Sequence, residues 1–205
     1  MKLFYKRNSP YTRIAWITAI EAGLEDKIEL VAVTTRDADS QLLEYSPICR
    51  VPTLQTDDGL ILGESTLIAG YFDRLHDGPP IVPGFAPEDL PHQEVRSLAM
   101  GFMEGVVVWI REVWFEPERM SERTIALESA RAMRTLQTLE NMAAAGRMDG
   151  PVHIGQITLA SILGYCDAFF AEFDWRSGNP NLVAWYDGFV QRPSMQKGSG
   201  VSPHW

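Results

Sequence analysis

The feature that most constrains the fold is a change of pattern close to residue 78. Before it, short apolar runs of strand length alternate with helical segments, and after it only long helical patterns follow. The two halves are separated by a stretch rich in helix breakers, which begins at Asp77-Gly78-Pro79-Pro80 and also contains Pro83, Pro87 and Pro91. This succession is typical of an α/β domain joined to an all-α domain.

The first half predicts a small mixed sheet with the element order βαβ-α-ββα. Strands are expected at 1–5, 28–33, 51–55 and 60–62, and helical segments at 10–22, 39–45 and 64–75. A strand, a crossover helix and a second strand imply a parallel pair. Asp57-Asp58-Gly59 between two apolar runs predicts a hairpin, which adds an antiparallel edge.

The second half predicts helices alone. They are expected at 93–115, at 121–145, after Gly150-Pro151 as far as Phe170, and at 181–191. The expected domain limits are therefore 1–78 for the α/β domain, 79–87 for the linker and 88–205 for the all-α domain.

The charge of the chain argues against some classes of partner. With 18 Lys and Arg residues against 27 Asp and Glu residues, the formal net charge is −9. Nucleic acids and anionic membranes reward clustered Lys and Arg, so neither is expected as the main partner. An anionic small ligand is compatible with this charge, since it needs only local donors and a helix N-terminus.

Cysteine and histidine spacing predicts neither a disulfide framework nor a metal site. Cys49 and Cys166 lie far apart outside any CxxC motif, and the four histidines are scattered. The N-terminal segment becomes polar within a few residues, unlike a signal peptide. No apolar run approaches the ~20 residues that a membrane span requires. A soluble, cytoplasmic protein with reduced thiols is expected.

Ser9-Pro10 stands where the first strand gives way to the first helix. Ser is a favoured N-cap and Pro a favoured first helical residue, so a structural role explains the pair. A functional role is compatible with it, because a Ser9 hydroxyl at the positive end of a helix can donate a hydrogen bond to a bound thiolate. Serine at this position, with Thr12 three residues on, disfavours thiol–disulfide exchange.

Two other segments also allow a structural and a functional interpretation. Val51-Pro52 is an ordinary strand start or a cis bond that turns the Val51 backbone toward a peptide-like ligand. In Gly63-Glu64-Ser65, Ser65 is a helix cap and Glu64 a solvated charge, or Ser65 and nearby amides hold a carboxylate while Glu64 holds an amine. An α-amino acid head group needs both.

Taken in order, these segments resemble a known family. MKLFYKRNSPYTR, SPICRVPTL and GESTLIAGYFDRL are similar to the thioredoxin-like N-terminal domain of bacterial cytosolic glutathione transferases. The similarity continues through ITLASILGYCDAFF and DWRSGNPNLVAWYDGFVQRPSMQ and so covers essentially the whole chain. The resemblance implies a thioredoxin-like domain followed by an all-helical domain, glutathione as co-substrate without a further cofactor, and a homodimer.

The resemblance also implies roles for individual residues. Ser9 falls where family members keep the Tyr, Ser or Cys that faces the glutathione sulfur. Val51 and Pro52 match the cis-proline segment that pairs with the ligand backbone. Glu64 and Ser65 match the pair that binds the γ-glutamyl end.

Further positions follow from the same comparison. Glu104 falls where relatives often have an acid that reaches the ligand of the partner subunit. Arg50 either meets the glycine carboxylate of the ligand or is a solvated arginine. Tyr11, Val108 and Trp109 border the hydrophobic co-substrate pocket or are ordinary core residues at helical spacing.

The implied activity is transfer of an alkyl or aryl group from a hydrophobic electrophile to the sulfur of glutathione, which attacks as a thiolate. A free thiol has a pKa near 8.5, and lowering this pKa by about two pH units requires ~2.7 kcal/mol. A charge-assisted hydrogen bond of ~1.5–3 kcal/mol and a helix terminus of ~0.3–1 kcal/mol can supply this, so Ser9 and the first helix suffice. A glutathione-binding interaction protein with little turnover and a glutathione-dependent isomerase or dehalogenase are the alternatives.

Two positions depart from the family pattern. Cys49 stands where relatives often have glycine, so the loop before Pro52 is expected to differ in shape. Cys49 itself is either a redox-sensitive thiol beside Arg50 or a plain small side chain. Thr158-x-x-Ser161 replaces the usual Ser/Thr-x-x-Asp capping box, and Ser161 is expected to accept a weaker capping hydrogen bond than a carboxylate would.

Overall fold

A computed structural model describes residues 1–114 and 117–198 of the chain. The chain divides into two compact units, one comprising Met1–Pro83 with the segment that begins at Gln191, and the other comprising Gly84–Val190. The predicted extent of the helical domain, 88–205, differs from this division at its C-terminal end. The reason is that the described residues from Gln191 onward pack with the first unit.

The first unit is built on a four-stranded mixed sheet. Its strands are β1 (Lys2–Tyr5), β2 (Glu29–Ala32), β3 (Thr53–Gln55) and β4 (Ile61–Gly63), in the spatial order β2-β1-β3-β4. β1 is parallel to β2 and antiparallel to β3, and β3 is antiparallel to β4. The parallel pair and the hairpin predicted from the sequence are confirmed.

Two helices, α1 (Pro10–Glu21) and α2 (Ser65–Phe72), follow β1 and β4 and pack against each other. The helical segment expected between β2 and β3 is only a 3₁₀ turn, Gln41–Glu44. Pro47 explains the early end, because proline disfavours helical backbone at the residue before it and lacks an amide hydrogen. The core of the unit consists of fully buried side chains from β1, α1, β3 and α2, namely Leu3, Phe4, Ile14, Ile17, Leu54, Ile68 and Phe72.

The C-terminal segment forms a short helix, α7 (Pro193–Gly198), that the sequence analysis did not predict. It packs on α1 and is anchored by Glu21, which accepts two hydrogen bonds of 3.0 Å from the Arg192 guanidinium and another from the Ser194 hydroxyl. Burial alone would raise the pKa of Glu21, but these hydrogen bonds and the charge of Arg192 lower it. The ion pair therefore holds the segment against α1.

The described part of the second unit is helical. It contains α3 (Leu90–Trp114), α4 (Glu122–Ala144), α5 (Ile154–Phe169) and α6 (Pro180–Phe189). α3 packs against α4 and α5, and α4 packs against α6. Every residue of α5 from Ile154 to Cys166 is buried. The all-α prediction for this half is confirmed. Residue 115, the predicted end of the first of these helices, lies outside the described residues.

Among the described helices, none is both long enough and apolar enough to cross a membrane.

The start of α5 corrects the prediction of a cap at Thr158. The N-cap is His153, whose Nδ1 accepts a hydrogen bond of 3.2 Å from the Gly155 amide, while the Gln156 side chain accepts one of 2.8 Å from the His153 amide. Because this pair already satisfies first-turn amides, the helix begins before Thr158. Thr158 and Ser161 lie fully buried inside it, and neither hydroxyl has a hydrogen-bond partner within residues 1–114 and 117–198.

His153 is buried beside a second histidine. Its side chain is only 3% exposed, and its ring centroid lies 4.5 Å from that of His92 on α3. Burial, followed by the charge of a protonated His92, lowers the pKa of His153 to about 4. Since Nδ1 must accept the Gly155 hydrogen, protonation of this nitrogen would also remove the cap.

We expect the protein to lose stability as the pH falls from about 6.5 toward 4. In this window the unfolded chain takes up a proton on His153 while the folded chain does not. The free energy of unfolding therefore decreases as the pH falls. The loss is about 1.4 kcal/mol per pH unit and roughly 3 kcal/mol in total. His153→Asn keeps a favoured capping side chain that does not titrate. Urea unfolding should therefore show a shallower pH dependence for this variant, and identical slopes in the two proteins would contradict the assignment.

Candidate functional site

The register of the sheet brings three strand ends together. Phe4 pairs with Thr53, and Thr53 pairs with Gly63, so these three residues form one row across the sheet. β1 and β4 therefore end, and β3 begins, at the same end of the sheet. Neighbouring strands are about 5 Å apart, so the row spans about 10 Å.

Each of these strand ends continues into a segment that the sequence analysis singled out. Ser9 follows β1, Val51-Pro52 precedes β3, and Glu64-Ser65 follows β4. The structure thus brings five of the predicted site residues to one end of the sheet.

Ser9 is half-buried and caps α1. Its Oγ accepts a hydrogen bond of 3.2 Å from the Thr12 amide, and Pro10 is the first helical residue. A hydroxyl oxygen that accepts this bond keeps its own hydrogen for donation to another acceptor. The structural and the functional interpretation of Ser9 are therefore compatible in the observed geometry.

The Val51-Pro52 peptide bond is cis, as the functional interpretation of this segment predicts. Pro52 is buried and Val51 half-buried, and the Arg50 carbonyl accepts a hydrogen bond of 2.7 Å from the Thr53 hydroxyl. Cys49 has a φ of 48°, in the left-handed region that favours glycine. The glycine that the resemblance implies at this position would adopt this backbone conformation readily. The proposed redox sensitivity of the Cys49 thiol stays a prediction.

Glu64, rather than Ser65, is the N-cap of α2. Its carboxylate accepts hydrogen bonds from the Thr66 amide (2.8 Å), the Leu67 amide (3.0 Å), the Thr66 hydroxyl (2.6 Å) and the Ser65 hydroxyl (3.1 Å). Burial alone would raise the pKa of Glu64, but these four hydrogen bonds lower it below its ordinary value. The result is an ionised carboxylate held in one place at the end of the sheet.

Two helices begin at this end of the sheet, because α1 follows β1 and α2 follows β4. The N-terminus of a helix carries a partial positive charge and unpaired amides. Glu64 already uses the amides of Thr66 and Leu67 in α2. This end of the sheet thus offers a fixed carboxylate together with helix ends that favour anions, which is the combination that a zwitterionic ligand requires.

Two further predicted residues are chain neighbours of this group. Arg50 directly precedes Val51 and is exposed, and Tyr11 follows Pro10 in α1 and is half-buried. The contact of Arg50 with a glycine carboxylate stays a prediction.

On α3, Val108 is 39% exposed, whereas the Trp109 ring packs 4.8 Å from that of Phe170 and belongs to an aromatic cluster of the second unit. A pocket bordered by Tyr11, Val108 and Trp109 stays a prediction.

Glu104 is exposed on α3, at a shallow surface depression of about 430 Å³. The depression is lined by residues of this one helix, namely Gln93, Arg96, Ser97, Met100, Gly101 and Glu104. The reach of Glu104 toward a ligand in a partner subunit stays a prediction.

Sequence reasoning missed the part played by Thr66. Its amide and its hydroxyl both bind the Glu64 carboxylate and so fix the acid. The signal was the run Glu64-Ser65-Thr66 between a strand and a helix, in which two hydroxyls follow an acid. No group of three His, Cys, Asp or Glu side chains in the described ranges is arranged to hold a metal ion.

Comparison with known proteins matches both halves of the chain to one family. Residues 8–75 match the N-terminal domain of glutathione S-transferase, and residues 123–188 match its C-terminal domain. A glutathione transferase family member from Pseudomonas fluorescens Pf-5, solved with bound glutathione, is 30% identical, with a TM-score of 0.87 and coverage of 96% of this chain and 97% of that chain.

Two further comparisons agree with this match. A structure of a Pseudomonas fluorescens Pf-5 family member with bound S-(propanoic acid)-glutathione is 29% identical, with a TM-score of 0.84 and the same coverage. The uncharacterized GST-like protein YibF of Escherichia coli K12 is 26% identical over 198 residues, which make up 96% of this chain and 97% of YibF. The chain belongs to the glutathione S-transferase family.

Proposed function

We propose that this protein is a glutathione transferase that binds glutathione across the row of strand ends and activates its thiol through Ser9. The observation that carries the proposal is the placement of Ser9, Val51-Pro52 and Glu64-Ser65 on three adjacent strand ends. The row is about 10 Å long, which matches an extended tripeptide at about 3.3 Å per residue. Further support comes from the Pseudomonas fluorescens relative that was solved with glutathione bound.

The sulfur lies at Ser9 in this proposal. Ser9 Oγ is already the acceptor for the Thr12 amide, so its hydrogen is directed to the thiolate. The N-terminus of α1 adds a favourable electrostatic contribution. The thiol proton leaves to solvent and the sulfur remains as an anion.

The backbone of the ligand pairs with Val51 in this proposal. The residue stands immediately before β3 and directly precedes a cis proline. An extended peptide can exchange hydrogen bonds with such a segment as an added strand does with a sheet edge.

The γ-glutamyl end lies at Glu64 and Ser65 in this proposal. The fixed Glu64 carboxylate binds the ammonium group, while the amide and hydroxyl of Ser65 bind the carboxylate. In the structure the Ser65 hydroxyl donates to Glu64 at 3.1 Å. It would exchange this acceptor for the ligand, and the two amides and the Thr66 hydroxyl would still hold Glu64 in place.

The reaction then needs no group beyond the thiolate and a bound electrophile. The sulfur forms a bond to an electrophilic carbon, and the leaving group departs with its electron pair. Holding the two reactants in contact supplies much of the acceleration. Tyr11 and the exposed Val108 stay candidates for contact with the electrophile.

Ser9→Ala should affect turnover, whereas Ser65→Ala should affect affinity. A charge-assisted hydrogen bond contributes ~1.5–3 kcal/mol, so its loss at Ser9 should lower kcat about 10- to 100-fold and leave the affinity for glutathione almost unchanged. Loss of the Ser65 hydroxyl should weaken affinity about tenfold and leave kcat near that of the wild type. Calorimetric titration and steady-state kinetics with an electrophile panel measure both quantities. A Ser9→Ala enzyme with full turnover would mean that another group activates the thiol.

Glu64→Gln should weaken binding of glutathione but not of N-acetylglutathione. The substitution removes the charge that faces the ammonium group, and acetylation removes that group from the ligand. A loss of about fivefold in affinity for glutathione is expected for a partly exposed pair. Glu29→Gln is a matched control, since Glu29 begins β2 at the opposite end of the sheet. Equal losses for both ligands would show that Glu64 acts only as the cap of α2.

The exposed face of α3 around Glu104 is the proposed contact surface of a homodimer. Ser97 and Gly101 are small and exposed there, which permits close approach of another helix. Sedimentation velocity should give twice the 23.0 kDa mass of one chain. Gly101→Arg should shift the protein toward the monomer, while Ala130→Arg on the exposed face of α4 should not. A monomeric wild type would refute the dimer.

A further inference from the structure

The hydroxyl of Thr12, in the first turn of α1, is buried. Thr12 is 0% exposed, and its Oγ1 has no hydrogen-bond partner in the part of the chain that the structure describes. A buried polar group that is left unpaired costs stability. Valine would fill nearly the same volume without this cost, so threonine at this position calls for an explanation.

Thr18 provides a comparison within the same helix. It is equally buried, but its hydroxyl donates a hydrogen bond of 2.8 Å to the Ile14 carbonyl, four residues earlier. Thr12 has no equivalent partner because residue 8 precedes the helix. The Ser9 carbonyl, three residues before Thr12, accepts from the Arg13 amide at 3.1 Å. The two threonines are thus equally buried but differ in the pairing of their hydroxyls within the described residues.

That place puts Thr12 next to Ser9. Residues three apart lie on the same face of a helix, and helical side chains point toward the N-terminus. The Thr12 amide donates to Ser9 Oγ at 3.2 Å. The two side chains therefore belong to the same end of α1, and a hydrogen bond between their hydroxyls requires a change of side-chain rotamer.

We propose that Thr12 is a positioning residue for thiol activation, whose hydroxyl donates a hydrogen bond to Ser9 Oγ while Ser9 donates to the glutathione thiolate. The inference rests on the proposed function of Ser9. Thr12 acts through Ser9 because its own side chain is fully buried. Both hydroxyls keep their protons, and the thiol proton leaves to solvent.

The physical effect is polarisation of the Ser9 hydroxyl. Two donors from Thr12, its amide and its hydroxyl, then bind the same oxygen. In a chain of hydrogen bonds each bond strengthens the next, so Ser9 becomes a stronger donor to the sulfur. The stability lost with an unpaired hydroxyl in the free protein is recovered when the thiolate is bound.

The test is the pKa of the bound glutathione thiol, measured by the ultraviolet absorbance of the thiolate. Thr12→Val should raise this pKa by about 0.5. At pH values below the pKa, kcat should be about threefold lower than in the wild type, with the KM for glutathione unchanged. Thr12→Ser restores the hydroxyl and should behave as the wild type does. Thr18→Val removes an equally buried hydroxyl of the same helix and should leave the thiol pKa unchanged.

Parallel measurement of Ser9→Ala separates this inference from the proposed function. A raised thiol pKa in Ser9→Ala with an unchanged value in Thr12→Val would overturn only the role of Thr12. Unchanged values in both would overturn thiol activation by Ser9 as well. Equal increases in Thr12→Val and Thr12→Ser would also overturn the inference, since packing rather than the hydroxyl would be responsible. Thr12→Ala is judged by the same outcomes if Thr12→Val does not fold.

Discussion

The pairing of β3 with both β1 and β4 is the constraint on which the rest of the site depends. One row of residues, Phe4, Thr53 and Gly63, fixes where three strands end or begin. Because β3 runs opposite to its two neighbours, its first residue lies beside their last residues. A shift of register by one residue would separate the segments and would also turn the buried faces of Leu3 and Leu54 outward. Core packing and site assembly are therefore secured by the same pairing.

Polar groups near this row serve the fold and the site together. Ser9 caps α1 and keeps a hydrogen to donate, and Glu64 caps α2 while it presents an anion. Elsewhere the chain uses such groups for structure alone. His153 caps α5 inside the second unit, and Glu21 fastens the C-terminal segment to α1. What distinguishes the first pair is its location at the meeting of strand ends.

Much of the fold was predictable because local signals and periodicity agree with it. Ser9-Pro10 marks the start of α1, and Asp57-Asp58-Gly59 marks the hairpin, in which Gly59 adopts a φ of 86°. The helix α7 was missed because its six residues, Pro193–Gly198, carry no clear apolar period and are held by the distant Glu21. The capping residue of α5 was misidentified because histidine is an uncommon cap, whereas Thr158 has the side chain of a common one.

The resemblance pointed to the residues of the candidate site, but their hydrogen bonds were not predictable. Glu64 as the cap of α2 was missed because Ser65 belongs to the residue types that usually cap helices. Its φ of 76° and the two donors of Thr66 become visible only once the chain is folded. The unpaired state of Thr12 was hidden for a similar reason, since burial and the lack of a carbonyl partner depend on the packed helix.

A crystal structure of the protein grown with glutathione tests the central claim most directly. The account predicts a ligand that spans the three strand ends, with its sulfur within hydrogen-bonding distance of Ser9 Oγ and its γ-glutamyl group at Glu64 and Ser65. Ordered glutathione with its sulfur away from Ser9, or with its γ-glutamyl group away from α2, would contradict it.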